Sequence, residues 1–234
     1  ELPRSGELFA LKKMKKSKLA ASETLRAQVL NERRILQMTD SPFVVQLHAT
    51  FRTEKELWLL LEPALGGELY SVYFYEDLFG SQRHAQFYSA SIVCALLHLH
   101  ERYVIYRDLK PENVLLDAQG RLKLADMGLA KFVLGQTYTV CGTPAYLAPE
   151  VAVQSGYTAA VDWWALGILV WELMASKTPF EAQSRGEVVH WLFTRGALTD
   201  LSSPSREWPK AFTEATKDFL RAVLAYEPGQ RVPM

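Results

Sequence analysis

The sequence predicts an α+β protein with two lobes, a small β-rich one followed by a larger, mainly helical one. Three observations carry this. The first sixty residues read as strand, helix, strand, strand. The pair Gly66-Gly67 then breaks the pattern. Beyond it, apolar residues recur at helical spacing over long stretches, above all in 84–103 and 157–175. A chain of 234 residues can form two small lobes with a substantial core. The small lobe is expected at 1–63 and the large lobe at 64–234.

The elements follow in order. Leu8 to Met14 is a strand candidate after the Ser5-Gly6 turn. Ser22 can cap a helix running to about Gln37, with Glu23 favourably placed in its first turn. Phe43 to Phe51 and Glu56 to Glu62 read as strands joined by Arg52-Thr53-Glu54-Lys55. Helices are then expected at His84 to Tyr103, Tyr157 to Ala175, Ser184 to Arg195 and Phe212 to Ala225. A hinge near Glu62 to Leu65 would leave a cleft between the lobes, a favoured place for a ligand.

Composition narrows the class. The chain is 49% hydrophobic and 22% charged, as soluble globular proteins are. Lys+Arg and Asp+Glu both number 26, which gives no sign of a nucleic-acid or membrane partner. The longest apolar run, Val161 to Met174, contains Asp162 and Glu172 and is too short to span a bilayer. Cys94 falls in an apolar helical pattern and is expected as a buried thiol. With Cys141 far away in sequence, a reducing compartment is expected. The chain begins Glu1-Leu2-Pro3, with neither initiator Met nor signal peptide, so a piece of a longer protein is expected.

The most informative stretch is Tyr106-Arg107-Asp108-Leu109-Lys110-Pro111-Glu112-Asn113, followed thirteen positions after Asn113 by Asp126-Met127-Gly128. Val114-Leu115-Leu116 has strand character, and Arg121 to Ala125 alternates polar and apolar. A hairpin turning at Gln119-Gly120 would put Asn113 roughly opposite Asp126. An amide oxygen beside a carboxylate suits Mg²⁺ carrying a phosphate substrate. Asp, Asn and Pro are ordinary turn residues, which explains any one of these positions but not the whole set.

A second constellation lies upstream. Lys12 shares a strand face with Leu8, Ala10 and Met14, and Glu32 sits in the helical stripe Leu25, Val29, Glu32, Leu36. A carboxylate inside an apolar stripe needs a cation, and Lys12 is the best candidate. Either side chain alone would more often snorkel to water.

Together, Phe9-Ala10-Leu11-Lys12, Glu32, the 106–113 stretch, Asp126-Met127-Gly128 and Ala148-Pro149-Glu150 resemble the protein-kinase signature set, in order and over nearly the whole chain. Cys141 to Glu150 and Val161 to Gly167 look like the AGC group, nearest in pattern to the cyclic-nucleotide-dependent kinases. The resemblance implies a serine/threonine protein kinase that uses ATP and Mg²⁺. It implies that Lys12 binds the α/β-phosphates and pairs with Glu32. Asp108 would orient the acceptor hydroxyl and take its proton, and Lys110 would neutralise the transferring phosphoryl group. Asn113 and Asp126 would hold Mg²⁺. Backbone atoms of Glu62 and Ala64 would bind adenine between Ala10 and Leu115, with Leu61 as gatekeeper.

It further implies that Thr139 is an activation-loop phosphosite read by Arg107 and Lys131. Glu68, Glu112 and Glu172 would bind arginines preceding the acceptor, so substrates of Arg-Arg-x-Ser/Thr type are expected. Asp162 would brace the catalytic loop, Glu150 would pair with Arg231, and Leu36, Leu47, Tyr106 and Met127 would stack between the lobes. Implied partners are protein substrates with basic residues before Ser/Thr, and an upstream activating kinase or a regulatory cyclic-nucleotide-binding module. The expected location is the cytoplasm, with the nucleus open to it.

The chain also departs from the pattern. No Gly-x-Gly-x-x-Gly loop precedes Lys12, and Gly6 is the one glycine before it. Truncation at both ends, weakened ATP affinity and an exposed sheet edge are therefore expected. Met127 stands for the usual Phe, Ala145 for Glu, and Gln28 for a basic residue. A kinase-like binding module with weak or no catalysis is the alternative reading.

Overall fold

The computed structural model describes residues 6–179, 184–195 and 208–231, with 191–195 described by backbone alone. Strand β1 (Ala10–Lys15) leads directly into a short helix α1 (Lys16–Ala21), which the sequence pattern did not reveal. Helix α2 (Glu23–Met38) follows, and its N-cap Ser22 accepts a hydrogen bond from the Leu25 N–H. Strands β2 (Leu47–Arg52) and β3 (Glu56–Leu61) complete a three-stranded antiparallel sheet in the order β1-β3-β2. β1 is thus an edge strand, and Ala10 and Leu11 on it are exposed.

The expected strand from Phe43 shortens to β2 for a physical reason. Residues 43–45 use their backbone groups on the hairpin of the other lobe: Leu124 N–H donates to Phe43 O, and Val45 N–H donates to Leu124 O. Beyond the hinge come β4 (Gly67–Glu68), α3 (Leu69–Tyr75), α4 (Gln82–His100) and β5 (Val104–Ile105). The hairpin is β6 (Val114–Leu116) and β7 (Leu122–Leu124), followed by β8 (Lys131–Phe132). The chain then runs through α5 (Pro149–Ala152), α6 (Ala160–Ala175), α7 (Arg185–Arg195) and α8 (Glu214–Val223).

Helix α6 is the centre of the large lobe. From Val161 to Met174 every residue but Glu172 is buried, as a helix apolar all round requires. A Cβ at Gly167 would lie 2.5 Å from the Leu224 side chain, so glycine lets the end of α8 pack closely there. Leu36, Tyr106 and Met127 are buried in one continuous core, and Leu47 packs against it. Among the described residues no helix is long and apolar enough to cross a membrane.

Two expectations fail here. Cys94 is exposed, because α4 turns it away from the buried face formed by Ile92, Ala95, Leu96 and Leu99. Helix α6 starts at Ala160, since Tyr157 instead pairs its backbone with Thr137, N–H to O in both directions.

Candidate active site

The hairpin β6–β7 sets the site. Asp117 at its turn accepts from the N–H groups of Gln119 and Arg121, both at 2.9 Å, and Gly120 takes a left-handed φ of 75°. Val114 pairs with Leu124, so Asn113 stands opposite Ala125, whose N–H donates to Asn113 O at 3.0 Å. Asp126 is therefore one residue past the expected opposition, and its φ of 50° re-aims the chain there.

The loop before the hairpin is tied together by its own side chains. Asn113 Nδ2 donates to Asp108 Oδ2 at 2.9 Å and to Asp108 O at 2.8 Å. Thr143 Oγ1 donates to Asp108 Oδ1 at 2.9 Å, and Lys110 Nζ donates to Thr143 Oγ1 at 3.1 Å. Lys110 Nζ also lies 3.6 Å from Asp108 Oδ2. From below, the fully buried Asp162 accepts from Tyr106 N–H and Arg107 N–H, both at 2.8 Å, and contacts His100 Nε2 at 2.8 Å. Three polar partners satisfy the charge of Asp162 and fix the backbone that carries Asp108.

The other side of the cleft supplies Lys12. Its Nζ lies 2.6 Å from Glu32 Oε1 and 3.3 Å from Asp126 Oδ1. Burial works against the ammonium, yet Glu32 and then Asp126 outweigh it and raise the Lys12 pKa. Burial likewise pushes Glu32 up, and Lys12 only partly offsets this. Lys12 thus joins strand β1, helix α2 and the Asp126 turn in one charged junction. These groups line a cleft of about 360 Å³ with Asp108, Gly128, Leu129 and Gln28.

Two oxygen donors, Asn113 and Asp126, suit a Mg²⁺ ion that keeps waters and phosphate oxygens as its other ligands. Asn113 spends its amide nitrogen on Asp108, which leaves its amide oxygen for a cation. Ala10 pairs with Leu61 across the sheet, and Leu115 is half-buried on β6, two residues past Asn113. Glu62 and Ala64 follow β3 directly, and both are half-buried.

The protein kinase domain model matches residues 3–234. The chain belongs to the protein kinase family. It is 36% identical over 228 residues to a "cAMP-dependent protein kinase, catalytic subunit-like" protein of Caenorhabditis briggsae, covering 97% of this chain and 56% of that one. It is 38% identical over 204 residues to the Caenorhabditis elegans protein of the same description, covering 87% of this chain and 49% of the relative. It is 36% identical over 233 residues to human ribosomal protein S6 kinase alpha-1, covering 98% and 30%. These relatives are AGC kinases, the group to which the 141–150 motif points. The chain spans about half the length of the first two relatives and less than a third of the third.

In this member of the protein kinase family the three candidate substrate acids lie on different elements. Glu172 accepts a hydrogen bond from Tyr146 Oη. Burial pushes Glu172 up, the tyrosine bond opposes this, and the nearby charge of Glu112 adds to the rise. Glu68 sits on β4 opposite Leu115, and both Glu68 and Glu112 are exposed.

The loop between Gly128 and Ala148 is held by Arg107 and Lys131 at points other than Thr139. Arg107 Nε donates to Leu129 O at 2.6 Å, and Arg107 Nη1 donates to Tyr157 Oη at 3.1 Å. Lys131 Nζ donates to Thr137 Oγ1 at 2.9 Å. The Thr139 side chain is exposed, and the bonds of Arg107 and Lys131 go to Leu129, Tyr157 and Thr137. Instead Tyr157 Oη donates to Thr139 O at 2.6 Å. Sequence reasoning missed Tyr157 and Thr137. The turn Ser155-Gly156 before Tyr157 is the one signal that could have kept that residue out of the helix.

Proposed function

We propose that this chain transfers the γ-phosphoryl group of ATP to serine and threonine hydroxyls of proteins, at sites preceded by arginines. The observation that carries the reading is two bonded clusters at the cleft, Lys12 with Glu32 and Asp126, and Asp108 with Asn113, of which Lys12, Glu32, Asp108 and Asp126 line it. Phosphoryl transfer needs positioning and electrostatic stabilisation, and these groups supply both. Asp108, fixed by Asn113 and Thr143, accepts the proton of the acceptor hydroxyl. Lys12, held by Glu32 and Asp126, orients the phosphates, and Lys110 faces the transferred group. Mg²⁺ at Asn113 and Asp126 would neutralise charge that develops on the phosphate oxygens. Backbone groups of Glu62 and Ala64 bind adenine, beside Ala10, Leu61 and Leu115. The lobe boundary falls at Pro63.

Glu68, Glu112 and Glu172 select arginines of the substrate. Phosphorylation of Thr139 by an upstream kinase draws Arg107 and Lys131 to the new charge. A cyclic-nucleotide-binding regulatory module and a cytoplasmic or nuclear location belong to the same reading. Fluorescence microscopy of the tagged full-length protein checks the location.

A thermal-shift titration with Mg·ATP tests the nucleotide reading. The melting temperature should rise with concentration in the parent and much less in Lys12→Met. No shift in the parent would favour a kinase-like binding module instead. A peptide array on the active form should lose signal when arginines before the acceptor are replaced.

A further inference from the structure

Behind the hinge, the buried Lys123 ammonium pairs with the half-buried Glu62 carboxylate, and neither side chain is used by the chemistry above. Lys123 Nζ, on β7 and 7% exposed, lies 2.6 Å from Glu62 Oε1. The other carboxylate oxygen, Glu62 Oε2, accepts from Gln46 N–H at 3.3 Å, and Glu62 N–H donates to Gln46 O at 2.9 Å. Glu62 therefore grips the segment entering β2 on one side and the hairpin on the other. Lys123 stands opposite Leu115 in the hairpin register. The backbone continues the same seam, since Leu124 bonds to both Phe43 and Val45. Three stretches of chain, 43–46, 61–62 and 122–124, meet at this one pair.

The placement has a physical consequence. An ion pair with one buried partner adds little net stability, because desolvation offsets attraction, but it fixes geometry. Here the fixed geometry is that of Glu62, the first residue past β3. We infer that Lys123 is a positioning residue: through Glu62 it holds the hinge backbone in the geometry that receives the nucleotide, and so sets nucleotide affinity without touching the ligand. The affinity part rests on the proposed ATP site. The hinge-clamp part does not, since it concerns backbone mobility at 43–46 and 60–64.

The test compares the full-length protein with Lys123→Met, Lys123→Arg, Glu62→Gln and the Lys123→Met/Glu62→Gln double variant. Hydrogen exchange without nucleotide should quicken at the Val45 and Glu62 amides in Lys123→Met, and stay unchanged in α6. Mg·ADP affinity, by calorimetry, should weaken about fivefold or more, within the usual range for coupling between sites. Lys123→Arg should recover most of it. The double variant should be no weaker than the worse single one, the sign of a shared interaction.

If Lys123→Met does not fold, Glu62→Gln keeps the side-chain size and carries the same comparison. Parent-like exchange and affinity in the folded variants would overturn the inference, as would additive effects in the double variant. Absent Mg·ADP binding by the parent would reject the ATP reading alone, and the exchange result would still decide the clamp.

Discussion

Tyr157 Oη donates to Thr139 O at 2.6 Å while accepting from Arg107 Nη1 at 3.1 Å. One hydroxyl thus links the loop that bears Thr139 to the arginine next to Asp108. Lys131 adds a second tie through Thr137. The loop has a polar anchor of its own, and a phosphate on Thr139 would add to that anchor.

Removing the hydroxyl should therefore make the loop depend on phosphorylation. Tyr157→Phe should lower stability by about 1 kcal/mol, as one lost hydrogen bond does. It should reduce the activity of the unphosphorylated form more than that of the Thr139-phosphorylated form. Equal losses in both forms would sink this role. Burial raises the Tyr157 pKa to about 12, although Arg107 opposes the rise. Both folded and unfolded states keep this proton below pH 10, so its contribution is lost only as the pH climbs from about 10 through about 12. Alkaline unfolding of Tyr157→Phe should be shallower across that window.

Glu172 should titrate visibly. Burial and Glu112 lift its pKa above the ordinary value of 4.5, against the Tyr146 bond. Its ionised form therefore opposes folding above pH 4.5, and that penalty is relieved as the pH falls through the raised value. In the same direction, acidification removes the charge that would hold a substrate arginine. The KM for an Arg-Arg-x-Ser peptide should rise on acidification in the parent, while Glu172→Gln should start high and vary less with pH. An identical pH profile in both proteins would count against a role for Glu172 in arginine binding.

Arg231 is the large lobe's most heavily bonded cation among the described residues. Its guanidinium meets Glu150 at 2.6 and 2.8 Å and also donates to Ala160 O, Ala225 O and Tyr226 O. Arg231→Met leaves the buried Glu150 carboxylate unpaired and should destabilise by about 3–5 kcal/mol. Arg231→Lys should recover little, because an ammonium cannot reproduce the planar fork. Urea denaturation measures both, and a full rescue by lysine would refute the fork argument.

Much of this was legible in the sequence. Lys12 and Glu32 could be paired because each charge interrupts an apolar face, and only a partner explains both. The hairpin could be placed from its turn residues, to within one residue of register. The seam behind the hinge could not be read. Lys123 looks like the polar half of an alternating strand, and its burial follows from residues 43–46 docking on β7. Tyr157 reads as the start of a helix because its pairing with Thr137 is a tertiary contact, and the Ser155-Gly156 turn is the one local signal against it. Cys94 was misplaced by helix phase alone, on α4, where buried and exposed positions adjoin.

The most direct measurement of the central claim is phosphate transfer itself. The full-length protein and its Asp108→Asn variant are incubated with Mg·ATP and an Arg-Arg-Ala-Ser peptide, and phosphopeptide is counted by mass spectrometry. The parent should phosphorylate the serine, and Asp108→Asn should be slower by about 10²-fold or more, the usual contribution of a positioned general base. No phosphopeptide from the Thr139-phosphorylated parent, or equal rates in the two proteins, would contradict it.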